Sequence, residues 1–339
     1  MVIREPLPNL VLPLVDLGIP TLSVVFDTAG LRARLEDVVP TRWRPSQDIR
    51  IQVLKYYPGR RCTFEIALRT EAGSCELIGK VYAKDRSDVH VAMQRIAGAG
   101  FGPEAEFSIP EPVATVPALR LLLQEKIQGP RAKDFFLTGS ERERAVTAER
   151  CALWLARFHS TSPQLGPVFD QKALLTSMRK WSRRIEELGE GPVGKARRLL
   201  ERLEDKMSGV AGTSMCAAHG SYSPSQIILS GGRTATVDWD GYCVADPALD
   251  VVRFVVSLRY LALAHLESTR ALDSAAEVFE RTYIATGRPE VRFNLPFYKA
   301  ATYLQLAKYR IRHQALHKVE LERVEAMLDE GLHLSEHWE

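Results

Sequence analysis

The sequence predicts an α+β chain in two lobes, a small β-rich one followed by a larger, mainly helical one. Three observations carry that expectation. Between residues 45 and 128, apolar residues alternate in short runs separated by turn residues, with one helical stretch inserted. After residue 140 they recur at three- and four-residue spacing, the period of a helix face. Only one later segment, about 215–240, returns to short β-type runs.

The elements follow in order. Residues 1–26 are rich in Pro and Leu without a clear period and read as an extended arm. Asp27-Thr28 caps a short helix carrying Leu31, Leu35 and Val38. This arm and helix form a first segment, 1–44. Strands are expected over Ile49–Tyr56, Cys62–Leu68 and Glu76–Ala83, the first two joined by a Pro58-Gly59 turn. A helix from Ser87 to about Ala97 follows, then strands near Pro112–Val116 and Leu119–Gln124. Lys126-Ile127-Gln128-Gly129-Pro130 reads as the connection between lobes. Beyond it, Ser140-x-x-Glu143 is a capping box opening a helix to about His159, with Cys151, Trp154, Leu155 and Phe158 on its apolar face. Helices near 171–188, 194–207, 247–265, 270–285, 295–314 and 317–333 complete the 129–339 lobe, with a loop at Ser208–Gly212. Pro247 suits the first turn of its helix, where a missing N–H has no cost.

Composition narrows the function classes. The 339 residues carry 45 basic and 42 acidic side chains, a net charge of +3, too balanced to argue for nucleic acid or an anionic membrane. Five cysteines at long spacings, with no Cys-x-x-Cys pair, suggest neither a zinc site nor a disulfide framework, and fit a reducing cytoplasm. No apolar run reaches the roughly 20 residues of a membrane span. Pro6, Pro8, Pro13 and Pro20 interrupt the start, which does not read as a signal peptide.

The most specific stretch is 219–250: His219-Gly220-Ser221-Tyr222-Ser223-Pro224-Ser225-Gln226, then Val237-Asp238-Trp239-Asp240, then Asp246-Pro247-Ala248-Leu249-Asp250. In order and spacing it resembles the active-site signature of the aminoglycoside phosphotransferase and choline kinase-like family. In that family the first element is usually His-Gly-Asp-x-x-x-x-Asn. Here Ser221 stands at the aspartate position and Gln226 at the asparagine position. The turn Tyr57-Pro58-Gly59-Arg60-Arg61-Cys62 is similar to one found in the family. The resemblance implies a two-lobed protein-kinase-like fold with a five-stranded small lobe over residues 45–128. It further implies ATP or GTP with magnesium as cofactors, and a small-molecule hydroxyl or amine as acceptor.

Roles are carried over residue by residue. Lys80 would contact nucleotide phosphates; the alternative is an edge-strand lysine in water. Gly59, Arg60 and Arg61 would cover the phosphates; the alternative is a solvated hairpin turn. Asp238 and Gln226 would ligate the metal, Gln226 with its carbonyl one methylene further out than asparagine. Asp240, two residues on, would share a face with Asp238 if the strand continues. It could then be a second ligand or a substitute base. Ser221 cannot act as a base near neutrality, and general-base contributions are about 10²–10⁴-fold in rate. The family's lysine usually pairs with a glutamate on the next helix. Here that helix offers only His90 or Gln94. His219 and Asp246 read as architectural, Asp250 as part of the same anchor, His159 as core or rim, and Cys216 and Cys243 as buried apolar residues. The charges on the last helices, such as Arg310, Arg312, Glu320, Glu322 and Arg323, select no acceptor. Two functions follow: a slow kinase, or an inactive pseudokinase that binds nucleotide or metabolite and acts through a protein partner.

Overall fold

The computed structural model describes residues 16–187, 190–210, 214–310 and 318–336. Most of the expected arm, part of the 208–212 loop, the expected end of the 295–314 helix and Arg312 lie outside them. The chain divides into two compact units between Gln128 and Gly129.

The first unit begins with two helices, α1 (Leu22–Phe26) and α2 (Thr28–Val38). The Asp27 carboxylate caps α2 by accepting from Gly30 N–H at 3.2 Å. Leu31 and Leu35 are buried as expected, at roughly 2 kcal/mol each, but Val39 rather than Val38 completes the face. Val38 is the last helical residue and stays exposed. Val39 turns inward as the backbone becomes extended.

Five strands form one antiparallel sheet: β1 (Arg50–Tyr57), β2 (Arg61–Thr70), β3 (Gly73–Tyr82), β5 (Pro112–Val116) and β6 (Leu121–Glu125), ordered β1-β2-β3-β6-β5. Between β3 and β5 lie α3 (Ser87–Ile96) and a two-residue strand, β4 (Phe107–Ser108). Alternation assigns the two sheet faces. Phe64, Ile66, Leu77 and Leu123 join Leu22, Val25, Leu31 and Leu35 in one core, so α1 and α2 cover that face. The residues between point to the other face. One row across it pairs Lys55, Thr63, Lys80, Leu122 and Thr115 in register. The Ser87 hydroxyl, at the start of α3, lies 3.3 Å from that of Thr115.

The second unit is mainly helical. It contains α4 (Ala132–Thr138), α5 (Glu141–Thr161), α6 (Gln171–Glu186), α7 (Glu190–Met207), α8 (Ala248–His265), α9 (Asp273–Thr286), α10 (Leu295–Arg310) and α11 (Lys318–Glu336). The Ser140/Glu143 capping box forms, and all four residues of the expected α5 face are buried. Short strands occupy the predicted β region: β8 (Cys216–Ala218), the hairpin β9 (Ile227–Ser230) and β10 (Arg233–Thr236), and β11 (Cys243–Ala245). β11 pairs with β8 on one side and, in parallel, with β7 (Val168–Phe169) on the other. Among the described residues no helix is long and apolar enough to cross a membrane.

Candidate active site

The loop after β8 is fixed by a backbone contact that only glycine allows. Gly220 has φ +77°, and a Cβ there would lie 1.9 Å from the Gly241 carbonyl oxygen. The loop 219–226 is thereby pressed against the turn 239–241. From below, the fully buried Asp250 carboxylate in the first turn of α8 accepts from His219 N–H at 2.6 Å and Gly220 N–H at 3.0 Å. His159 Nε2 approaches the same carboxylate at 3.5 Å, while its Nδ1 lies 2.7 Å from the Tyr283 hydroxyl. Burial alone would raise the Asp250 carboxyl. The His159 hydrogen bond and the nearby His219 and Arg253 outweigh it and hold it below the ordinary range. Asp246 accepts from Ala248 N–H and from Asn294 Nδ2, both at 2.8 Å, so it anchors the start of α8.

Within this frame four side chains form a directed chain of hydrogen bonds. Ser223 Oγ donates to Gln226 Oε1 at 3.2 Å, and Gln226 Nε2 donates to Ser221 Oγ at 3.2 Å. Ser221 Oγ lies 3.3 Å from His219 Nδ1, and His219 Nε2 lies 3.2 Å from the Val237 carbonyl. Burial, opposed by Asp250 and Asp238, keeps the His219 imidazole below its usual pKa, and therefore neutral. Trp239 meets the His219 ring edge-on, with centroids 4.7 Å apart, above the stacked Trp154–Tyr222 pair.

Asp238 follows β10 with left-handed backbone, φ +73° and ψ +63°. Asp is among the few residues that tolerate this conformation. The Trp239 indole N–H donates to the Thr236 carbonyl at 3.0 Å and locks the reversal. Residues 239–241 then form a 3₁₀ turn. The strand does not continue, so the condition under which Asp240 would share a strand face with Asp238 is not met. The left-handed step at Asp238 breaks the two-residue period that would have aligned them.

Gln226 and Asp238 come from adjacent segments, tied by Val237 N–H donating to the Gln226 carbonyl at 2.8 Å. The donor set is hard oxygen. Among the described residues no group of three His, Cys, Asp or Glu side chains gathers to hold a metal alone. A magnesium ion commonly takes one or two carboxylates with phosphate oxygens and water. Asp238 and one lone pair of Gln226 Oε1 fit that pattern, and the other lone pair accepts from Ser223.

In the first unit, Lys80 lies on the central strand and is 5% exposed, which removes the reading as an edge-strand lysine in water. Of the two α3 candidates, Gln94 is exposed and His90 is buried. His90 Nδ1 has no hydrogen-bond partner among the described residues, and burial lowers its pKa. The 57–61 turn is more constrained than a solvated hairpin. Gly59 N–H donates to the Asp16 carboxylate at 2.9 Å, and the Tyr56 hydroxyl donates to it at 2.6 Å. Arg61 sits over the Tyr57 ring, 5.6 Å from its centroid, and Arg60 is exposed.

The sequence reading places Asp250 in the anchor of α8 and His159 at core or rim, and misses that the two meet beneath the loop backbone. Asp16 carries no signal, because its partners are 40 and 43 residues away. Cys216 and Cys243 are buried as expected, and burial pushes the Cys243 thiol up to about 12.

Similarity to known proteins agrees with this arrangement. No curated protein matches the chain in sequence. Among solved structures, a choline/ethanolamine kinase family protein from Mesorhizobium loti aligns with TM-score 0.61 at 16% identity, over 91% of this chain and 94% of that one. A glucosamine kinase in complex with glucosamine, ADP and inorganic phosphate aligns at 0.58 and 17%, over 85% and 81%. A thermostable mutant of an aminoglycoside phosphotransferase, in a ternary complex with ADP and hygromycin B, aligns at 0.60 and 13%, over 91% and 98%. At these identities the likeness concerns the fold, which is protein-kinase-like. The sequence pattern of the phosphotransferase enzyme family (APH) matches residues 67–293, well over half of the chain, and the chain belongs to that family.

Proposed function

We propose that the protein transfers a phosphoryl group from ATP or GTP to a hydroxyl or amine of a small molecule. The observation that carries this reading is the ordered loop 219–226, held by Asp250 and set beside Asp238 although Ser221 and Gln226 depart from the family pattern. Lys80 would hold phosphate, with Arg60 and Arg61 adding positive charge nearby. Asp238 and Gln226 would hold magnesium, which when bound neutralises phosphate charge. The Gly59 amide would reach phosphate only if Asp16 released it. Structural neighbours bound to ADP support the nucleotide assignment.

A second reading has its own support. Ser221 carries no charge, and the buried face of α3 offers His90 where the family has a glutamate. Both favour a pseudokinase that binds nucleotide or metabolite and acts through a protein partner. The balanced charge argues against nucleic acid as that partner.

The test is thermal stabilisation by ATP and by GTP, each with and without magnesium. Ligand at about 100 times its dissociation constant stabilises the native state by about 2.7 kcal/mol. A rise of several degrees that requires magnesium is expected. No shift at millimolar nucleotide overturns the nucleotide assignment in both readings. Turnover in an acceptor screen then separates kinase from pseudokinase.

A further inference from the structure

The hydrogen-bond chain through Ser221 has a fixed direction. A backbone carbonyl only accepts, so the proton on His219 Nε2 points at Val237 O, 3.2 Å away. The imidazole is fully buried beside Asp250, Asp238 and Arg253, with Tyr222 and Trp239 against its ring. In its neutral form Nδ1 carries the lone pair. Ser221 Oγ, 3.3 Å from that lone pair, must then be the donor. On its other side Ser221 accepts from Gln226 Nε2, whose orientation is set by Ser223 donating to Gln226 Oε1. Ser221 is only half-buried. The result is a serine hydroxyl facing a base that is itself oriented by a third group. This is the arrangement that activates serine for covalent catalysis, with distances often looser when no substrate is bound.

We propose that Ser221 is a nucleophile that takes the phosphoryl group itself, as a phosphoserine intermediate, before passing it to the acceptor. The proposal rests on the nucleotide reading above. In the first step Ser221 Oγ forms a bond to the γ-phosphorus. The bond from that phosphorus to the β–γ bridging oxygen breaks, and the nucleoside diphosphate leaves with the electron pair. The Ser221 proton passes to His219 Nδ1. In the second step the acceptor oxygen bonds to phosphorus and the P–Oγ bond breaks. His219 returns the first proton to Ser221 Oγ, and the acceptor's proton leaves to solvent. One proton is liberated per turnover, as in direct transfer. The loss of the aspartate then replaces one route with another.

The experiment uses the full chain with magnesium and ATP and no acceptor, quenched at short times. Intact mass and peptide mapping should show one phosphate on Ser221, distinguished from Ser223 and Ser225. Labelled ADP should appear in ATP without acceptor, because the first step reverses on its own. Ser221→Ala should lose both signals and reduce turnover by about 10²-fold or more, while keeping magnesium-dependent thermal stabilisation by ATP. Stabilisation by ATP with no phosphate on Ser221 and no exchange overturns the covalent step and leaves the nucleotide reading standing. Absence of stabilisation overturns both. The wild-type readouts need no substitution, so a variant that fails to fold does not rescue the idea.

Discussion

At the residue scale, Asp250 has more consequences than its place outside the reacting groups suggests. It is fully buried and spends both oxygens on the backbone that presents Ser221. Leaving buried hydrogen-bond donors unsatisfied costs about 1–3 kcal/mol each. Asp250→Ala should therefore lower stability by that order in urea unfolding, with His159 and two amide groups losing their acceptor. A loss below 1 kcal/mol would show that the loop holds itself. The family signature in 219–250 was legible in the sequence because it depends on short-range order: His-Gly, Val-Asp-Trp, Asp-Pro. What holds it was not legible. The contacts of Asp250 with His159, and of Gly220 with Gly241, cross 91 and 21 positions, where no local period or motif reports them.

At the element scale, β3 shows why a lysine can sit inside an apolar strand. Leu77 and Val81 point into the core under α1 and α2, and Lys80 points to the opposite face with Leu122 and Thr115 in its row. Alternation fixed the strands to within a few residues, but left the place of Lys80 open until the strand order set β3 at the centre of the sheet. It misplaced the last helical contact, Val38 for Val39, because a helix period says nothing about the first residue after the helix. It also stopped at Asp238, where a single left-handed residue ends the strand geometry on which a shared face for Asp240 depended. A buried ammonium is costly unless an anion meets it. Lys80→Met, close in volume and without charge, should still give a folded protein with a single cooperative melting transition. It should also abolish the added stability from magnesium and ATP. A variant that still gains the full nucleotide shift would remove Lys80 from the phosphate site.

At the scale of the whole molecule, proton binding links the two units through one variable. The buried His90 and His219 are held below their ordinary 6.5, in both cases by burial first. As pH falls below 6.5 the unfolded chain takes up protons that the folded chain refuses, so stability declines at about 1.4 kcal/mol per pH unit for each such group. Three carboxyls act lower. Asp16 is held below 3.8 by the Tyr56 hydroxyl and then the Gly59 amide. Glu76 is held below 4.5 by Lys126, and Asp250 below 3.8 by His159 against its own burial. Their stabilisation is complete above those values and is lost as pH drops through the lower folded ones. Protonating the 42 acidic residues also leaves 45 basic ones to repel each other. Urea midpoints should therefore be level from pH 8 to 7, decline between about 6.5 and 5 with the histidines, and fall steeply below 4.5 with the carboxyls. His90→Leu should reduce the first decline to about half its slope without touching the second, since it removes one of the two histidines and leaves every carboxyl in place. A profile level down to pH 5 in the wild type would mean that these imidazoles stay open to water and protons in the folded state. The neutral His219 on which Ser221 depends would then have to be given up.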